Sequence, residues 1–307
     1  MTFSFSDFAS AVRAEGEVSV EQVLAARRWA WADGVITPDE ADTIFELNHL
    51  VARPTADWTD FFVEALTEYL VNGVAPRGHV SDENARWLID HVSRDGRVES
   101  HAEMELLVRV LEKAETAPDA LRTFALAQIE REVLTGEGPT RRGGTLRPGL
   151  ITDTEVALLR RLLYAGGSAE ATMISRDEAE MLWALKDATL DAANAPGWRT
   201  LFVQAVARHL TGHGGRGNVT RADAARLDAF MADNRPGIGG FLGRMARALV
   251  ERPGAAPAAM SADDRAVEAA AAAVVTAAEA QWLRTRMEAD GRLDPLEQAL
   301  LDFLAED

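Results

Sequence analysis

Cysteine is absent from the 307 residues, which excludes a disulfide framework, a thiolate zinc site and a cysteine nucleophile. Lysine is nearly absent: Lys113 and Lys186 are the only two, and arginine supplies the rest of the 32 basic residues. No stretch alternates Val, Ile and Thr in the manner of a strand. No apolar run reaches the ~20 residues of a membrane-spanning helix; the longest small-residue run, "AAAAAVVTAAEA" (269–280), is short and alanine-rich. The opening stretch lacks the basic and apolar regions of a leader. Acidic residues outnumber basic ones, 49 against 32, for a formal charge of −17 and a pI near 4.8. Such a surface repels polyanions and favours cations or basic proteins. The expectation is a cytoplasmic protein with no nucleic-acid partner and no integral membrane segment.

What the sequence does hold is repetition. Residues 18–47, 80–111, 151–185, 219–249 and 275–304 share one order: a capping residue, an amphipathic helix, a glycine turn, an aliphatic residue, a second helix. The first helices start at Ser19, Ser81, Thr152, Thr220 and Thr276. A third, proline-opened helix follows in residues 54–70, 117–134 and 195–210, where Trp58 and Trp198, Phe62 and Phe202, and Val63 and Val203 correspond. Gly/Pro-rich stretches interrupt the pattern at "TGEGPTRRGGTLRPG" (135–149) and "ERPGAAPAAM" (251–260). The spacing predicts an all-α chain of helix–turn–helix hairpins, each joined by a third helix, in two similar halves. Its expected parts are residues 1–136 (two modules), a linker at 137–149, residues 150–252 (two modules), a linker at 253–260, and a C-terminal helical hairpin at 261–307.

The turn "WAWADGVITPDEA" (29–41) has a mechanical reading. Gly34 ends one helix in the left-handed conformation. Thr37 then caps the next, with Pro38 at its first position and Glu40 at its third, a reciprocal capping box worth about 1 kcal/mol. Ser100 with Glu103, Ser175 with Glu178, and Asp294 with Glu297 repeat the arrangement. An EF-hand loop needs six to eight oxygens, opening with a carboxylate at its first position. Here the first and third positions are Trp29 and Trp31.

The pattern Ala-Asp-Gly-x-aliphatic followed by Glu, at Ala32-Asp33-Gly34-x-Ile36…Glu40 and Ala289-Asp290-Gly291-x-Leu293…Glu297, and more loosely Asp95-Gly96-x-Val98…Glu103, resembles the TerB-like family of all-helical bacterial proteins named for tellurite resistance. The resemblance implies compact helical units in stress-response or membrane-associated complexes. It also implies a divalent cation, Ca²⁺ or Mg²⁺, held by Asp33, Glu40, Asp95, Glu103, Asp290 and Glu297.

Other candidates have simpler readings. His209 and His213 read as a surface pair, because Gly212 ends the helix between them. His91 and His101 flank the second turn, and Arg141, Arg142 and Arg147 form a basic island in the first linker. Trp29 and Trp31 cannot share one helical face, so one is a candidate exposed anchor. No nucleophile elbow, phosphate loop, dinucleotide fingerprint or zinc-hydrolase helix occurs. The expected function is therefore a non-catalytic helical-repeat protein that mediates protein–protein interaction through grooves between its halves. A divalent-cation-binding sensor and an unrecognised enzyme are the alternatives.

Overall fold

A computed structural model describes residues 5–73, 75–94, 96–141, 147–165, 173–212, 277–289 and 291–306. Twelve helices run through them: α1 (Phe5–Glu15), α2 (Val20–Ala30), α3 (Pro38–Leu50), α4 (Ala56–Glu68), α5 (Asp82–Val92), α6 (His101–Lys113), α7 (Asp119–Thr135), α8 (Asp153–Leu163), α9 (Arg176–Ala188), α10 (Pro196–Gly212), α11 (Ala277–Met287) and α12 (Pro295–Glu306). A two-residue antiparallel ribbon, β1 (Ser93–Arg94) with β2 (Arg97–Val98), closes the second turn. The protein is all-α.

The caps anticipated from sequence are made. Reciprocal capping boxes start α2 (Ser19 with Gln22), α3 (Thr37 with Glu40), α6 (Ser100 with Glu103), α8 (Thr152 with Glu155) and α9 (Ser175 with Glu178). Asp294 serves α12 in the same way: its Oδ1 accepts from the backbone N–H groups of Leu296 and Glu297, and Glu297 accepts from that of Asp294. Gly34 stands at φ +86°, where a side chain would strain the turn.

The chain divides into two compact units, residues 1–172 and 173–307. In the first, α4 is central. Its Trp58, Phe61, Phe62 and Leu66 are fully buried, and it packs on α2, α3 and α6. Each such side chain contributes roughly 1.5–3 kcal/mol on burial. The stretch read as a linker at 137–149 is partly fixed to this unit. Arg141, only 5% exposed, donates to the buried Glu155 and to the carbonyl oxygens of Arg147 and Leu150. In the same unit α8 packs on α6 and α7.

In the second unit α10 packs on α9 and α12. The C-terminal hairpin α11–α12 thus belongs to the core of this unit. Its outer face is polar: Gln298 donates to Asp302, at places where α6 buries Met104 and Val108. Residues 219–249, the second linker at 253–260 and most of the alanine-rich run lie outside the described residues, as do Asp95, Asp290, Arg142 and His213.

Candidate functional site

The carboxylates marked by the turn motif are engaged first by the backbone. Asp33 Oδ1 accepts from the N–H of Val35 at 3.2 Å. Glu40 accepts from the N–H and hydroxyl of Thr37 at 2.8 and 2.9 Å. Glu103 accepts from the N–H groups of Ser100 and Glu99 at 2.9 and 3.3 Å, and Glu297 from that of Asp294 at 3.1 Å. Among the described residues no group of three or more His, Cys, Asp or Glu side chains is placed to hold a metal ion.

Glu103 and Glu297 have a second task. Glu103, 3% exposed, receives the side-chain N–H of Asn48 at 3.4 Å and lies 3.7 Å from His49. Burial pushes its carboxyl above the ordinary range, against the Ser100 and Glu99 donors that stabilise the charge. Asn48 also accepts the indole N–H of Trp58 at 3.1 Å. One amide thereby ties α3 to both α4 and α6.

The second unit repeats this joint with different chemistry. Counted from the capping Glu of each helix, Lys186 on α9 stands where Asn48 stands on α3. Its ammonium donates to Glu297 at 2.7 Å and Asp294 at 2.5 Å, pairs with Asp187 at 2.8 Å, and lies 4.8 Å from the Trp183 ring centroid. Burial pulls Lys186 down, but the hydrogen bonds to Asp187, Asp294 and Glu297 outweigh it, so the group titrates above an ordinary lysine. Burial also pushes Glu297 up, against the Lys186 hydrogen bond, which lowers it, and with a smaller push from the Asp294 charge. An ammonium has no lone pair to offer. The indole N–H of Trp198, counterpart of Trp58, has no hydrogen-bond partner among the described residues.

The correspondence extends outward. Trp87 on α5 donates to Asp42 on α3 at 3.1 Å and stacks edge-on against Phe45. Trp282 on α11 donates to Glu180 on α9 at 2.6 Å and meets Trp183 edge-on. His91 reaches Asp42 at 3.2 Å, and Arg286 contacts Glu180 at the matching place. Within its own unit, the last hairpin therefore joins α9 by the contacts that module two uses to join α3.

Among the described residues of the first unit, a groove of about 740 Å³ opens between α4 and α6. One wall is the acidic row Asp60, Glu64, Glu68 of α4; the other is His101, Glu105, Arg109 and Lys113 of α6. Val63, Thr67 and Val71 are its buried inner residues. Among the described residues the Thr67 hydroxyl has no hydrogen-bond partner, a shortfall of about 1–3 kcal/mol for a buried polar group. Behind the α6 wall, Arg161 of α8 forks onto both Glu105 and Glu112 at 2.7–2.9 Å. Its hydrogen bond holds Glu112 below the usual carboxylate range.

No family model matches the chain, and neither does a curated protein or a solved structure.

The motifs did not single out Asn48, Lys186 as a buried group, Thr67 or Arg161. The available signal was a polar residue inside an apolar helical stripe, eight places beyond each capping Glu. Neither member of the tryptophan pair is fully exposed. Trp31 packs edge-on against Phe61, and both Trp29 and Trp31 are half-buried. His209 is buried, with Nδ1 donating to the Ile174 carbonyl at 2.9 Å, and so is not a surface residue. His91 is half-buried and His101 exposed.

Proposed function

We propose that the chain is a non-catalytic helical-repeat protein that binds another protein, and that the α4–α6 groove of its first unit receives the partner. The observation that carries this reading is the groove itself: an open channel with buried inner residues, two rows of long polar side chains and an unsatisfied hydroxyl. A groove between two helices with apolar residues at its floor and polar rows along both rims is the form that receives an amphipathic helix. The engagement of the turn carboxylates by peptide N–H groups supports a scaffold built to keep neighbouring helices in register.

The test is site-directed photo-cross-linking in the source cell, with a photoreactive amino acid at Asp60 in the groove or at Glu46 on the exposed side of α3. A protein adduct from position 60 that disappears when Val63→Arg fills the groove is the expected result. Adducts equally frequent from both positions, or saturable turnover of a small substrate by the pure protein, would reject the reading.

A further inference from the structure

We infer that the α4–α6 groove selects a helix bearing arginine or lysine at one-turn spacing, so that the partner proposed above presents a basic face to α4. This rests on the groove being a protein-docking site and adds the chemistry of its occupant. Asp60, Glu64 and Glu68 follow one another at intervals of four residues, which aligns them on one side of α4. Asp60 has no hydrogen bond or ion pair among the described residues, and Glu68 meets only the neutral amide of Asn72. The wall is therefore an incompletely neutralised acidic strip beside apolar inner residues.

The protein's own arginines show how the strip is read. Arg27 of α2 donates to Glu64 at 2.5 Å while its guanidinium stands 5.8 Å over the Phe61 ring. Arg161 of α8 forks onto Glu105 of the opposite wall. The α4 wall thus accepts one guanidinium, and Glu105 of the α6 wall takes Arg161 and, at 3.7 Å, Arg109, contacts that suit arginine's fixed fork. Arg109 and Lys113 of α6, with Arg77, give the occupant a polarity: cations toward α4, an acidic or neutral side toward α6. The inner residues Val63 and Val71 are almost covered and ask for small apolar groups at the groove floor. The formal charge of −17 favours encounter with the same class of partner.

The probe is a fluorescein-labelled, amidated peptide of about 14 residues, arginine at every fourth position and leucine on the adjoining face. A matched peptide carries glutamate in place of arginine. Both are titrated against the full chain at about 0.05 and 0.3 M salt. The arginine peptide is expected to bind at least about tenfold more tightly, with affinity falling as salt rises. Asp60→Lys combined with Glu68→Lys should weaken it by about tenfold, and the neutral pair Asp60→Asn with Glu68→Gln by less. Glu46→Lys with Glu288→Lys changes the net charge equally at exposed positions off the groove and should leave affinity within about twofold. Circular dichroism and thermal midpoints confirm that each variant is folded.

Equal binding of the two peptides, or equal weakening by the groove and control pairs, overturns the proposal. So does self-association of the chain that the groove pair abolishes, because the occupant is then a second copy. If the cross-link at position 60 persists but its partner carries no basic helix, the chemistry fails while the docking reading stands. If neither position 60 nor Asn72, an uncharged residue lining the same groove, gives a specific adduct, the docking reading itself fails.

Discussion

Asn48 on α3 and Lys186 on α9 each stand eight residues beyond the capping glutamate of their helix, and each reaches forward to the capping glutamate of a hairpin packed within its own unit, Glu103 for the amide and Glu297 for the ammonium. The amide both donates and accepts, and it satisfies Trp58; the ammonium only donates, and Trp198 has no partner among the described residues. An amide-to-carboxylate hydrogen bond in the first unit is thus an ion pair in the second.

Lys186→Met should loosen the last hairpin selectively. It leaves Asp294 and Glu297 buried without their cation, a change that costs about 3–5 kcal/mol for a broken buried pair. Hydrogen exchange over residues 277–306 should accelerate while the first unit keeps its protection. Lys186→Asn should be milder, because it restores an acceptor for Trp198. Unchanged exchange in α11 and α12 would show that the ammonium is not what holds them.

Glu103→Gln should change how stability depends on pH. The folded-state pKa of Glu103 lies above its unfolded value of 4.5, so its contribution is fully present below that value and is lost as pH rises through the folded pKa. Glutamine keeps the acceptor oxygen for the capping box and has no proton to lose. Denaturant titrations should therefore find the variant gaining on the parent between about pH 4 and pH 7. A constant difference across that range would remove the effect of burial.

Arg161→Gln carries the opposite sign. Glu112 is held below its ordinary pKa by the Arg161 hydrogen bond, so this pair stabilises above the unfolded value of 4.5 and fades as pH falls through the depressed pKa. Both groups are partly exposed, which limits the loss to about 1–2 kcal/mol at pH 7. The same variant should match the parent near pH 2 in urea titrations of the first unit.

Thr67→Val replaces an unpartnered hydroxyl with a methyl group of similar volume. In the free protein it should raise stability, by up to about 1–2 kcal/mol in chemical denaturation. A loss of stability instead would mean that the hydroxyl is satisfied in solution.

Calorimetric titration with Ca²⁺ or Mg²⁺ checks the cation reading of the turns. With Glu40 and Glu103 accepting from peptide N–H groups and Glu297 paired with Lys186, millimolar ion should give neither binding heat nor a shift of the thermal midpoint. A saturable heat that Asp33→Asn removes would restore a metal role to the first turn.

Local chemistry made the helices legible. Ser, Thr or Asp before a helix, Glu or Gln at its third position and glycine at φ > 0 act within a few residues, so their spacing alone reports the caps at α2, α3, α6, α8, α9 and α12. For the same reason the sequence by itself determined the all-α class and the peptide-directed use of the turn carboxylates. It did not determine which hairpin each helix joins. Asn48 lies 55 residues from Glu103, and Lys186 lies 111 from Glu297, and no spacing rule spans such distances. Nor did it mark the α4–α6 groove, whose two walls are distant in sequence and meet only through packing. Those were decided by the tertiary structure, because burial determines whether an acid caps a helix, binds a lysine or faces an open channel.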